Sequence, residues 1–283
     1  MRLVATDMDG TLLNANHEIS EKNKQTIQNL QARGIEVIAA TGRNFPEAMA
    51  PVRQAGLSLP AICINGAEVR NEKGEIIAAT HLLPDDIDKA MITLAKYDIY
   101  FDLYIQDNIY ALSAEKQIDM FMQVGQSAKQ IVPTEAIRES IMERIGKGII
   151  KEVDTYDTVL DKHKGAVSKI LGICHSDEQF ELATKELQQS PQVAISSSGK
   201  GVIEINHTAA QKGIALEKYA ALKGIDMKEV MVIGDNYNDV SMMERAGISV
   251  AMENAPDDIK AVCSHETASS DADGFTLAIE TIL

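Results

Sequence analysis

Asp7 and Asp9 flank Met8 close to the start of the chain and are followed by Gly10 and Thr11, one residue after the apolar run Leu3-Val4-Ala5. A short apolar run stopped by a polar, glycine-containing turn predicts a buried strand. Side-chain direction repeats every second residue in a strand, so the two carboxylates can face one crevice. They would do so at the strand's carboxyl end, where open α/β sheets hold their ligands. Such a pair is costly unless a cation or a shared proton relieves it. The alternative for these five residues alone is a hairpin turn with both carboxylates in water.

Three further polar clusters follow apolar runs or open a helix. Thr41 and Gly42 come after Ile35–Ala40, Asp235, Asn236, Asn238 and Asp239 after Val230–Ile233, and Lys212 stands in the first turn of a helix predicted over 213–223. Parallel strands bring their carboxyl ends to one edge, so residues more than two hundred positions apart can share a crevice. Asp7 and Asp235 then offer the hard oxygen ligands that Mg²⁺ prefers. No His or Cys cluster accompanies them, which argues against zinc. The Thr41 hydroxyl, the Gly42 amide and the Lys212 ammonium supply donors and positive charge for a phosphoryl group. A carboxylate nucleophile splits one hard displacement into two easier ones. Asp9 is placed to protonate a leaving alkoxide and later to deprotonate water.

The elements that must position these groups alternate as strand and helix. Ser20 caps a helix over 21–33 that Gly34 ends, Asn44 and Pro46 open the next, and Pro51 predicts a kink in it. Ile62–Ile64 ends at Asn65-Gly66, and a small hairpin pairs Val69–Arg70 with Ile76–Ala79. This rhythm predicts an α/β core with a doubly wound parallel sheet. From Pro84 the pattern turns richer in hairpins, so 84–206 reads as an inserted α+β domain and 1–83 with 207–283 as the core. Within the insertion, 151–165 is charged and weakly periodic and reads as a solvated connection. Among lesser residues, Arg43 is either a helix-start ion pair or a substrate contact, Asn65-Gly66 a substrate-side loop, and Asp273 a turn residue. The six histidines read as surface residues and Met242-Met243 as helix packing.

Composition narrows the classes. Hydrophobic residues make up 45% of the 283, ample for a packed core, and the net charge of −15 with no tryptophan excludes a nucleic-acid surface. A phosphorylated substrate therefore needs a local positive focus, which Mg²⁺ and Lys212 would make. Three scattered cysteines, no basic-then-apolar leader and no membrane-length apolar run predict a soluble cytoplasmic protein.

The motifs DMDGTLL, ATGR, NGA, Lys212-Gly213 and GDNYND, in that order, resemble the haloacid dehalogenase superfamily of phosphohydrolases. The closest resemblance is to its Cof-type branch with a class IIB cap. The resemblance covers both core segments and implies Asp7 as nucleophile and Asp9 as acid/base, with Asp9 also lending its carbonyl to Mg²⁺. It implies Asp235 as the acidic metal ligand with Asn236 near the metal and Asp239 supporting it. The Met8 amide, Thr41, Gly42, Lys212 and Asn238 would hold the phosphate. The expected activity is Mg²⁺-dependent hydrolysis of a small phosphorylated metabolite, a sugar phosphate or a phosphorylated cofactor. A phosphomutase uses the same Asp pair and is the first alternative. A silent binding or regulatory protein is the second, and it would be expected to have lost Asp7, Asp9 or Lys212, all of which are present.

Overall fold

The computed structural model describes residues 1–127, 133–197 and 200–283. The chain divides into two compact units, Met1–Ala79 with Ala209–Leu283, and Thr80–Thr208. In the first, β1 (Leu3–Thr6), α1 (Glu21–Ala32), β2 (Glu36–Ala40), α2 (Phe45–Gln54), β3 (Ala61–Cys63), β4 (Glu68–Arg70) and β5 (Ile76–Ala79) precede the crossover to the second unit. That unit holds α3 (Pro84–Lys96), β6 (Tyr100–Ile105), β7 (Asn108–Ala111), α4 (Ala114–Ser127), α5 (Thr134–Gly146) and β8 (Ile150–Glu152). It continues through α6 (Asp157–His163), β9 (Val167–Ile173), α7 (Asp177–Leu187), β10 (Val193–Ser196) and β11 (Val202–His207). The chain then returns to the first unit with α8 (Lys212–Leu222), β12 (Val230–Gly234), α9 (Val240–Met243), β13 (Ile248–Ala251), α10 (Asp257–Lys260), β14 (His265–Glu266) and α11 (Gly274–Ile282).

The first unit is built on an eight-stranded sheet in the order β14-β13-β12-β1-β2-β3-β4-β5. Strands β14 to β3 are parallel, and β4 and β5 add an antiparallel edge. Four of the parallel strands, β1, β12, β2 and β13, are apolar over nearly their whole length and buried, as strands covered on both faces must be. Thr6 pairs in register with Ile233 on one side and Ala39 on the other. Asp7, Asp235 and Thr41 therefore leave the sheet along one edge. Leu3, Ala5, Ile38, Val232, Leu216, Tyr219 and Met242 fill one side of the core beneath them. Met242 and Met243 are both buried there, the packing role expected of them.

The second unit carries a six-stranded sheet, β10-β11-β9-β6-β7-β8, antiparallel except where β7 pairs with β8. Its own cluster joins Leu94, Leu103, Ile170 and Ile203. The stretch 151–165 differs from expectation. It contains the end of β8 and all of α6, and Tyr156, Val159 and Leu160 are buried in the cluster. Their i, i+3, i+4 spacing is a helical stripe, hidden in the sequence by the charges around it. The Tyr156 ring stacks on Phe101 at 5.1 Å, and its hydroxyl donates to the Phe101 carbonyl. No helix among the described residues is long and apolar enough to cross a membrane.

Candidate active site

Asp7 begins where β1 ends: its amide still donates to the Ile233 carbonyl at 2.9 Å, while its side chain turns into the sheet edge and is 8% exposed. Gly10 makes the turn that follows. Its φ of 78° is open to glycine at little cost, and a Cβ there would lie 2.5 Å from an Asp235 carboxylate oxygen. The loop thus closes against the end of β12. Thr11 Oγ1 donates to Asp235 Oδ1 at 3.0 Å, and Asn254 Nδ2 donates to the other Asp235 oxygen at 2.8 Å.

Lys212 is the most telling placement. A cation in the first turn of a helix opposes the helix dipole, and this one is fully buried. Its ammonium donates to Asp7 Oδ1 and to Asp239 Oδ1, each at 2.7 Å. Gly213 makes the approach possible. Its amide donates to Ser241 Oγ at 3.0 Å, and a Cβ would fall 1.9 Å from the Ser241 carbonyl. Burial alone lowers an ammonium, but the charges of Asp239 and Asp7 outweigh it and hold Lys212 above its ordinary value. Burial raises the Asp7 carboxyl well above its ordinary value; Lys212 opposes that and Asp239 adds to it. Asp235 is raised as well, by burial first and by Asp239 second.

Asp239 has both oxygens engaged, Oδ1 by Lys212 and Oδ2 by the amides of Asp235 and Asn236 at 3.0 and 3.1 Å. Asn236 spends its side chain on its own turn, accepting from the Tyr237 amide at 2.8 Å. Thr41 is buried and accepts from the Arg43 amide at 3.1 Å. Gly42 lies against Asn65, whose side-chain oxygen would sit 3.1 Å from a Cβ at 42. Asn238 Nδ2 donates to the same Asn65 oxygen at 3.1 Å. Met8 is fully buried, and its carbonyl accepts from the Leu13 amide at 2.8 Å.

The residues singled out from the sequence thus gather at one edge of one sheet, with Asn65 joined to them through Asn238. Thr11 and Asn254 were not singled out, although both hold Asp235. Asn254 follows β13 at the same edge, and that position was the available signal. Asp273 is a turn residue, with φ 57° and a 2.5 Å bond accepted from the Ser20 hydroxyl. His17 is an exposed histidine, as expected, but it stands 3.5 Å from Asp9.

One carboxylate oxygen from each of Asp7, Asp235 and Asp239 lies within 4.8 Å of the others. Three carboxylates face a single ammonium, so the cluster carries negative charge in excess, and all its donors are hard oxygens. Both properties fit Mg²⁺ and neither fits a soft metal.

A family model described as haloacid dehalogenase-like hydrolase matches residues 4–279. The chain belongs to the haloacid dehalogenase-like hydrolases. Among relatives in this family, the 5-amino-6-(5-phospho-D-ribitylamino)uracil phosphatase YwtE of Bacillus subtilis is 31% identical, over 100% of this chain and 98% of that one. Phosphatase YwpJ of the same organism is 26% identical over the full length of both. The solved structure of a haloacid dehalogenase-like hydrolase from B. subtilis superimposes with a TM-score of 0.86 at 26% identity, covering 100% of each chain. The chain is a phosphoric monoester hydrolase of this family.

Proposed function

We propose that this hydrolase is a Mg²⁺-dependent phosphatase of a small phosphorylated metabolite, a sugar phosphate or a phosphorylated cofactor, acting through a phosphorylated Asp7. The observation that carries the reading is Asp7 itself: a buried carboxylate bonded at 2.7 Å by Lys212 and clustered with Asp235, both more than two hundred positions away. Asp7, Asp235 and the Asp9 carbonyl, with Asn236 nearby, would hold Mg²⁺, which when bound offsets charge on the phosphoryl oxygens. Lys212, the hydroxyl of Thr41, the amides of Met8 and Gly42, and Asn238 bind the same group. Asp239 supports the site by fixing Lys212 and the loop amides.

An Asp7 oxygen attacks phosphorus as the bond to the leaving oxygen breaks, and Asp9 passes its proton to that oxygen. Water then attacks phosphorus, Asp9 takes a proton from it, and the bond to Asp7 breaks, releasing phosphate and restoring both carboxyl groups. The middle unit, 84–206 by the sequence pattern, is proposed as the cap that selects the leaving group. Three free cysteines suit a reducing cytoplasm. Phosphate release from a panel of phosphorylated metabolites is the test. The ribityl phosphate named for the 31% relative is the first compound to try. Release is expected with Mg²⁺, lost with EDTA, and restored by Mg²⁺ but not by Ca²⁺, whose longer bonds and higher ligand number loosen the geometry. Full activity in metal-free protein would overturn the metal assignment.

A further inference from the structure

Asp9 does not extend freely into the site. Arg43 takes both its oxygens, Nε donating to Oδ2 at 2.8 Å and a terminal nitrogen to Oδ1 at 2.5 Å. His17 Nδ1 stands 3.4 Å from the same terminal nitrogen. The other terminal nitrogen reaches the Glu47 carbonyl at 3.5 Å, which Pro51, lacking an N–H, cannot serve. The start of α2 does not require this arginine. Asn44 already caps it by accepting from the Glu47 amide at 3.0 Å, and a cation there works against the helix dipole. Nor is this a pair along one helix, since the two residues follow the neighbouring strands β1 and β2.

An acid acts only within about 3 Å of the oxygen it protonates. A guanidinium bonded to Asp9 then lies one further hydrogen-bond length away, beside the leaving group's neighbouring carbons. The pair is also open to water, with side chains 25% and 47% exposed. Exposed ion pairs are weak, so an incoming oxygen can exchange with one. Resting on the phosphatase reading above, we propose that Arg43 is a positioning and specificity-determining residue. It holds the Asp9 carboxylate until a hydroxyl of a polyol or sugar leaving group accepts its hydrogen bonds instead, which frees an Asp9 oxygen to take a proton from water and pass it to the leaving oxygen. Leaving groups without such a hydroxyl leave the fork closed.

The test compares ribitol 5-phosphate with n-pentyl phosphate, a leaving group of the same carbon number without hydroxyls. The wild-type enzyme is expected to favour the ribitol ester in kcat/KM. Arg43→Ala should lower the value for the ribitol ester by ~30-fold, the size expected when a charged donor is removed from its acceptor, with no fall for the pentyl ester, because the fork that holds Asp9 is gone. Added guanidinium should restore the preference, and Arg43→Lys should restore part of it, since a point charge lacks the fork. An unchanged ratio in Arg43→Ala, or an equal fall for both esters, overturns the proposal. If circular dichroism finds Arg43→Ala unfolded, the Arg43→Lys and Arg43→Gln ratios decide in its place. Should the wild type turn over both esters while no Arg43 variant moves the ratio, only the role of Arg43 is lost. If it released phosphate from neither ester nor from any metabolite in the panel, the phosphatase reading would fall and this inference with it.

Discussion

Lys212 stands at a helix start, fully buried, with the helix dipole and the loss of solvation both against it; among the described residues Asp7 and Asp239 pair with it. Such a local conflict marks a place where function overrides folding preference. The same carboxylates define what single substitutions should do. Asp7→Asn keeps the shape but removes the negative charge and the nucleophilic oxygen. The expected loss of turnover is at least ~10³-fold, about 4 kcal/mol of barrier, in a protein that still melts cooperatively. A variant that kept a tenth of wild-type activity would take the nucleophile's role from Asp7. Thr11 acts one step further out, through its 3.0 Å bond to Asp235. Removing a bond that orients a metal ligand commonly weakens metal binding by about 10- to 100-fold. Thr11→Val should therefore raise the Mg²⁺ concentration needed for half-maximal activity by about that factor, with kcat at saturating Mg²⁺ changed far less. The reverse pattern would place Thr11 in the chemical step instead.

At the scale of elements, what could be read from the sequence follows from how each element is buried. Strands β1, β2 and β12 are largely apolar runs stopped by polar turns, and α1 has Ser20 capping it at 3.0 Å through the Asn23 amide, so all four were legible. The seven-residue α6 was not, because its buried face is Val159 and Leu160, with Tyr156 at its cap, among charges. A 3-10 turn at Tyr237–Asp239 precedes a single α turn, since Asn236 and Asp239 cap each other there. The site's motifs were legible, but the grip of Thr11 and Asn254 on Asp235 is a through-space relation, to which only Asn254's place after an apolar strand pointed.

In β6 the sequence hides another feature. Asp102 is 1% exposed and accepts from Gln117 Nε2, and among the described residues its Oδ1 and Gln117 Oε1 have no hydrogen-bond partner. Burial raises its carboxyl to about 7, against the opposing bonds from Gln117 and Tyr100 and the charge of Arg144. A raised folded-state value means that the native state keeps a proton the unfolded chain releases. Stability is then fully present below about pH 4 and falls as pH rises, until the loss is complete just above pH 7. The span corresponds to about 4 kcal/mol. Asp102→Asn should flatten this dependence and raise the melting temperature at pH 8, read by thermal denaturation across pH. An unaltered slope between pH 4 and 7 would mean that Asp102 is ionised in the native state.

For the whole molecule, two units with separate cores divide the chain, Met1–Ala79 with Ala209–Leu283 and Thr80–Thr208. The groups proposed for chemistry all belong to the first. On the proposed function its carboxylates and the buried Lys212 ammonium would bind the phosphoryl group, and Arg43 is the residue of that set proposed to tell one leaving group from another. The net charge of −15 adds no general attraction for phosphate esters, so selection must come from contacts to the rest of the substrate. Binding energy from such remote contacts is realised in kcat/KM only for substrates large enough to make them. Replacing Thr80–Thr208 with a short Gly/Ser linker should therefore lower kcat/KM on the preferred metabolite much more than on p-nitrophenyl phosphate, whose leaving group needs neither recognition nor a proton. Mg²⁺ binding, followed by calorimetry on the shortened protein, should persist, because Asp7 and Asp235 and their partners Thr11 and Asn254 all remain. An equal fall on both esters in a shortened protein that still binds Mg²⁺ would make the middle unit a support for the core and remove it from substrate selection.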